Sequence, residues 1–183
     1  MKLETFAAAQ LDLVTEATRV ARDLAGQYFA LPGEWFEDTS HRVCSVRDLR
    51  PGELLGFGHL ALIRRLLRLA GEEPAPVLLC RQLCPHYRIC LQDHNLLRCA
   101  GQDPQLDLES LLTCVLTHEF VHLVRFSHHQ HPYLTLEDLR LAEEHRVDAI
   151  TAEIVSKLGH RRLRIAGRVM AARATAGPRR GCV

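Results

Sequence analysis

A chain of 183 residues is one domain's worth of sequence, long enough to close a core without disulfides or a partner subunit. Its 47% hydrophobic and 25% charged residues exclude a disordered or collagen-like chain, and no apolar run reaches the ~18–20 residues that span a bilayer. The net charge of +1 hides an uneven distribution: up to residue 153, 15 Lys/Arg face 22 Asp/Glu, a net of −7, whereas residues 154–183 carry eight Lys/Arg and no acid, a net of +8.

Taken in chain order, residues 3–29 read as a helix, with Leu3, Phe6, Leu11, Val14, Val20, Ala21 and Leu24 at helical spacing, broken by Leu31-Pro32-Gly33. Residues 41–46 suggest a short strand and Arg50-Pro51-Gly52 a turn. Residues 54–69 are apolar with Arg64, Arg65 and Arg68 to one side, which predicts a helix. Pro74 and Pro76 mark a loop, and residues 77–83 fit strand or helix equally. Residues 87–92 alternate and predict a strand, Asp93-His94-Asn95 a turn, and residues 95–99 a second short strand. After the break at Asp103-Pro104, a strongly apolar helix is expected from Asp107, as N-cap, to Phe126. A histidine-rich loop follows at 127–132. Thr135 with Asp138 then opens a long helix to Leu158 that Gly159 ends, and 161–174 form one more helix. Helix, mixed strands and helix, then two long helices is an α+β order rather than a doubly wound one.

Two residue types direct the functional reading. Seven cysteines with no export signal, the N-terminal stretch being acidic where a leader is apolar, point to a reducing, cytoplasmic setting. The 11 histidines include the strongest motif, His118-Glu119-Phe120-Val121-His122. In a helix, residues i and i+4 share one face, so both imidazoles can grip one Zn²⁺. Glu119 lies about 100° round from His118, within reach of a metal-bound water as general base. The surrounding helix is otherwise nearly all apolar, where two imidazoles and a carboxylate are expensive to bury unless paired or coordinated.

A zinc hydrolase site needs a third protein ligand and an open fourth position. Beyond His122, and separated from it by 21 residues, stand Glu144 and, one turn on, Asp148. The HEFVH pentapeptide with this Glu and Asp resembles the HExxH…ExxxD arrangement of gluzincin metallopeptidases, a branch of the zincins. The resemblance covers about residues 108–155. It implies a zincin-like fold, a small mixed sheet with an active-site helix and a following long helix. It further implies Glu144 as third ligand and Asp148 as the acid that orients a ligand imidazole. Glu143 is an alternative ligand, sharing a face with Leu139, Val147, Ile150 and Ile154; Glu144 is favoured because it alone has an acid at i+4. His128 is the other alternative, at the third-ligand position of the metzincin pattern HExxHxxGxxH, but Arg125 stands where that pattern has its glycine. His128, His129, His131 and Tyr133 are read as loop residues near the cleft. The resemblance also implies a strand at the sheet edge against which an extended peptide lies, placed at 87–92 or 95–99.

Cys80, Cys84, His86, Cys90, His94 and Cys99 match no zinc-knuckle or iron–sulfur spacing and are read chiefly as core residues. The basic C-terminal stretch has no aromatic residues for base stacking, so a solvated tail or a helix docked on the acidic body is expected ahead of a nucleic-acid element. The expectation as a whole is one zincin-like domain over residues 1–158 and a basic helix or tail over 159–183. It is expected to hydrolyse a peptide or protein substrate with one Zn²⁺, or to serve as a non-catalytic metal-binding module for a protein partner.

Overall fold

The computed structural model describes residues 3–56, 58–66, 86–128 and 137–175. It is a mixed α+β fold of helices α1 (Ala8–Tyr28), α2 (Trp35–Asp38), α3 (Asp93–Gln102), α4 (Leu108–Ser127), α5 (Glu137–Lys157) and α6 (Arg161–Thr175) with strands β1 (His41–Cys44), β2 (Ile63–Leu66) and β3 (His86–Cys90). Two single 3₁₀ turns, Val46–Asp48 and Pro51–Glu53, follow β1.

The helix α4 is the axis of the molecule. Asp107 caps it, its Oδ1 accepting from the Ser110 amide at 2.7 Å. Every residue from Ser110 to Arg125 is buried, the state expected of a helix that is apolar all round. Around it pack α1, α3, α5 and α6. The helix α1 meets α4 through Ala17, Ala21 and Ala25, a stripe at i, i+4, i+8 whose small side chains let the two backbones approach. The stripe was hidden in the sequence by the bulkier residues around it, such as Leu11 and Val14, which pack only partly buried against the core.

The sheet has the order β1-β3-β2, with β1 parallel and β2 antiparallel to β3. Period-two geometry sends Tyr87 and Ile89, both fully buried, to the core face. The expected strands at 41–46 and 87–92 are therefore present.

Two expected elements are replaced. Residues 54–62 are not helical, and 63–66 form β2; residues 67–69 lie outside the described residues. Side chains just beyond the C-terminal end of β3 hold this segment in an extended conformation. Gln92 Oε1 accepts from the Leu55 amide and its Nε2 donates to the Glu53 carbonyl, both at 2.9 Å. Asn95 Nδ2 donates to the carbonyls of Gly56 and His59 at 3.0 and 2.8 Å. Gly58, at φ +102°, takes a conformation that a side chain resists. Leu60 and Leu62 then enter the ladder of β3 by backbone bonds to Gln92 and Cys90.

The second replacement is at 93–102, where the expected turn and strand form the helix α3. Asp93 sits in its first turn and accepts from the amides of Phe6 and Val46, each at 3.0 Å, which ties α3 to both ends of the preceding chain. Asn95, Leu96 and Cys99 make its buried side. Neither segment proposed as a peptide-binding edge keeps that place: β3 is the central strand, paired on both sides, and 95–99 is helical. The residues 77–83, Cys80, Cys84 and the 129–132 part of the histidine-rich loop lie outside the described residues.

The helix α5 ends at Gly159, whose φ of +65° is the left-handed conformation expected of a helix-ending glycine. The basic α6 docks against α4 and α5, burying Ala166 and Met170 while Arg161, Arg162, Arg164 and Arg168 stay exposed. No helix among the described residues is long and apolar enough to cross a membrane.

Candidate metal centre

Four atoms converge between α4 and α5. The Nε2 atoms of His118 and His122 stand 3.2 Å apart. Glu144 faces them from α5, its Oε2 3.5 Å from His118 Nε2 and its Oε1 3.4 Å from His122 Nε2. Helical geometry brings the two imidazoles onto one strip, and the antiparallel run of α5 brings the carboxylate across from them. Both histidines are buried and Glu144 is half-buried, so the exposure of the cluster lies at its carboxylate.

Asp148, one turn beyond Glu144, places Oδ1 3.2 Å from His118 Nδ1, an ion-pair approach outside ideal hydrogen-bond alignment. The Nδ1 of His122 is buried with no hydrogen-bond partner among the described residues, so the polar contacts of that ring lie on its Nε2 side. The Phe126 ring stacks on the outer face of His122, centroids 5.4 Å apart. Glu119, next to His118 on α4, is also buried.

The electrostatics follow from this crowding. Burial pulls the His118 imidazole down, but Asp148 and Glu144 outweigh it and hold its pKa up to about 10. Burial pushes the Glu144 carboxyl up, and the two imidazoles reverse this and hold it well below the usual carboxylate range. Without a cation the cluster is therefore an imidazolium clamped by acids.

The group His118, His122 and Glu144 could hold a metal ion. Ligand atoms about 2.0–2.1 Å from a tetrahedral cation lie about 3.3–3.4 Å from one another. The two Nε2 atoms, 3.2 Å apart, stand close to that edge length, and they lie 3.5 and 3.4 Å from different oxygens of the Glu144 carboxylate. The donor set, two imidazoles and one carboxylate, suits a first-row divalent cation and leaves a fourth position.

The alternative ligands lie elsewhere. Glu143 turns to Arg125 in a two-pronged ion pair, Arg125 Nε to Oε1 and Nη2 to Oε2 at 2.8 Å, with both side chains buried. His128 is exposed at the C-cap of α4, its ring edge-on to Trp35 with centroids 5.5 Å apart, and it is outside the metal-binding group. His129, His131 and Tyr133 are outside the described residues. Cys90 and Cys99 of the cysteine–histidine cluster are core residues, and His118, His122 and Glu144 make the one candidate metal group among the described residues.

Sequence reasoning missed the Arg125–Glu143 pair. Its signal was present: Arg125 falls on the strip of His118 and His122 in a helix with almost no other charge, and Glu143 falls on the apolar side of α5. Comparison of the chain with protein-family models, with curated proteins and with solved structures gives no match.

Proposed function

We propose that this chain is a metal-dependent hydrolase, in its simplest form a zinc metallopeptidase of the gluzincin kind, with His118, His122 and Glu144 as ligands. The supporting observation is the convergence of the two Nε2 atoms, 3.2 Å apart, with the carboxylate of Glu144, which brings an oxygen within 3.5 Å of each. A bound zinc would supply Lewis acidity, lowering the pKa of a water and polarising a carbonyl oxygen.

The chain's own residues do the rest. Glu119, buried beside the ligands, accepts a proton from the attacking water and returns it to the leaving amine. Its negative charge already acts on the His118 imidazole, which places it in the field of the cluster. Asp148 lies at the far nitrogen of His118 and favours the tautomer that leaves the Nε2 lone pair facing Glu144 and His122. Phe126 covers the His122 ring and limits its rotation. Glu144 and Asp148, both half-buried, form the exposed edge of the cluster, and a peptide would approach from that edge.

A second reading keeps the same residues without a cation. The imidazolium of His118, clamped between Glu144 and Asp148, offsets part of the buried negative charge and ties α4 to α5 in a protein that acts by binding.

Elemental analysis of protein purified without a histidine tag separates the two. About one zinc per chain is expected, lost in the His118→Ala/His122→Ala variant. Glu119→Gln is expected to keep the metal and lose hydrolysis of an unstructured protein such as casein by roughly a hundredfold or more. Zinc that survives in the double variant, or a Glu119→Gln variant as active as the parent, contradicts the assignment.

A further inference from the structure

The helix α5 reaches α4 in two different ways along its length. Its C-terminal part is held by apolar and small side chains: Val147, Ile154 and Val155 are buried, with Thr151 among them. Its N-terminal part is not. Of residues 139–146, all described, only Glu143 is buried; Leu139 and Leu141 are exposed. Glu144 lies within this part, one turn before Val147, and apolar packing among the described side chains of 139–146 does little to set its place.

The Arg125–Glu143 fork is suited to that task. It joins the last turns of α4 to the first turns of α5, and a bidentate guanidinium–carboxylate pair fixes both distance and orientation. Apolar contacts tolerate a slide or a rotation of one helix on another, and a two-pronged ion pair does not. The rungs then run antiparallel from the fork: Arg125 with Glu143, His122 with Glu144, His118 with Asp148. A shift of α5 by a single residue turns Glu144 by about 100° and carries it out of reach of the imidazoles.

Energetics favour register over stability as the use of this pair. Both partners are at least nine-tenths buried, and replacing a buried ion pair by apolar side chains of similar size is often neutral or stabilising. Fixing a register is the best-attested reason for keeping one.

We propose that Arg125, acting through Glu143, is a positioning residue for the metal centre: the fork sets the register of α5 on α4 and so delivers Glu144 to His118 and His122. This rests on the metal reading above, and the test separates the two. Arg125→Met/Glu143→Met is expected to fold cooperatively with thermal stability close to that of the parent. In the metal-free protein, nuclear Overhauser contacts from the His118 and His122 rings to Glu144 are expected to weaken or vanish. Affinity for zinc alone, measured by competition with a chromogenic chelator, is expected to fall about 10- to 100-fold. Arg125→Lys retains the charge, loses the fork and serves if the double variant does not fold; its zinc affinity is expected to fall several-fold with the fold intact. Ring contacts and zinc affinity both equal to the parent's, in either folded variant, overturn the proposal. The ring contacts need no metal, so a parent that takes up no zinc sinks the metal reading while the hold of the fork on Glu144 is still decided.

Discussion

At the scale of single residues, the polar groups of the interior divide into those that converge and those that are merely enclosed. His118, His122 and Glu144 point four donor atoms at one place. The cysteines do not. Burial pushes the Cys90 thiol up to about 12, aided by the charge of Glu53, and pushes Cys114 up to about 12, aided by Asp148. At pH 8 a thiol of that pKa is ionised in about one molecule in 10⁴, and the thiolate is the reactive form. Iodoacetamide is therefore expected to leave Cys90 and Cys114 unmodified in the folded protein and to label both after denaturation, as read by peptide mass spectrometry. Labelling of either in the native state at the rate of the denatured control would count against the structure around it. The motif residues were legible in the sequence because one helical turn is a local distance. Glu144 was legible only as one of two adjacent acids. Which of the two turns to the histidines depends on Arg125, which is 18 positions away in the chain and claims the other.

At the scale of elements, long helices were readable because their cues lie within a few residues of one another: Asp107 at the start of α4, Gly159 at the end of α5. The segment 54–66 was misread because its helical pattern is real but overruled. Four hydrogen bonds from Gln92 and Asn95 hold its backbone extended, and the strand pairing of 63–66 with β3 completes the conversion. The segment 93–102 was misread for the converse reason: its apolar residues are too few to show a period, and the carboxylate of Asp93 is claimed by amides from residues 6 and 46. Asn95 is the point on which these two elements meet. Asn95→Leu removes the donor to the carbonyls of Gly56, which is exposed, and His59, which is half-buried, and is expected to lower stability by about 0.5–1.5 kcal/mol, measured by urea unfolding. A loss below about 0.5 kcal/mol would mean that the 54–62 segment is held by its strand pairing alone.

At the scale of the whole molecule, one buried helix carries both the core and the candidate metal centre, and both α1 and α5 pack on it. A cation bound between α4 and α5 couples directly to folding, since the unfolded chain cannot assemble the three ligands. Zinc at about a hundred times its dissociation constant stabilises the folded state by about 2.7 kcal/mol, which for a chain of this size raises the melting temperature by roughly 5–10 °C. The shift is expected to disappear with a chelator and to be absent in His118→Ala/His122→Ala. An equal shift in that variant would place the cation elsewhere. The charge asymmetry belongs to this scale too: the basic C-terminal segment is a docked helix over 161–175, with Arg162 Nη1 3.5 Å from Asp107 at the cap of α4, and Arg161, Arg164 and Arg168 are exposed.

The sequence by itself determined the α+β order, the start of α4, the end of α5 and the pair of histidines one turn apart, because each depends on contacts within one or two turns of chain. Tertiary structure alone decided which residue completes the cluster, which strand is central and which apolar run stays extended. Each of those is settled by a polar side chain that reaches across from another element, and a reach through space leaves no period in the chain.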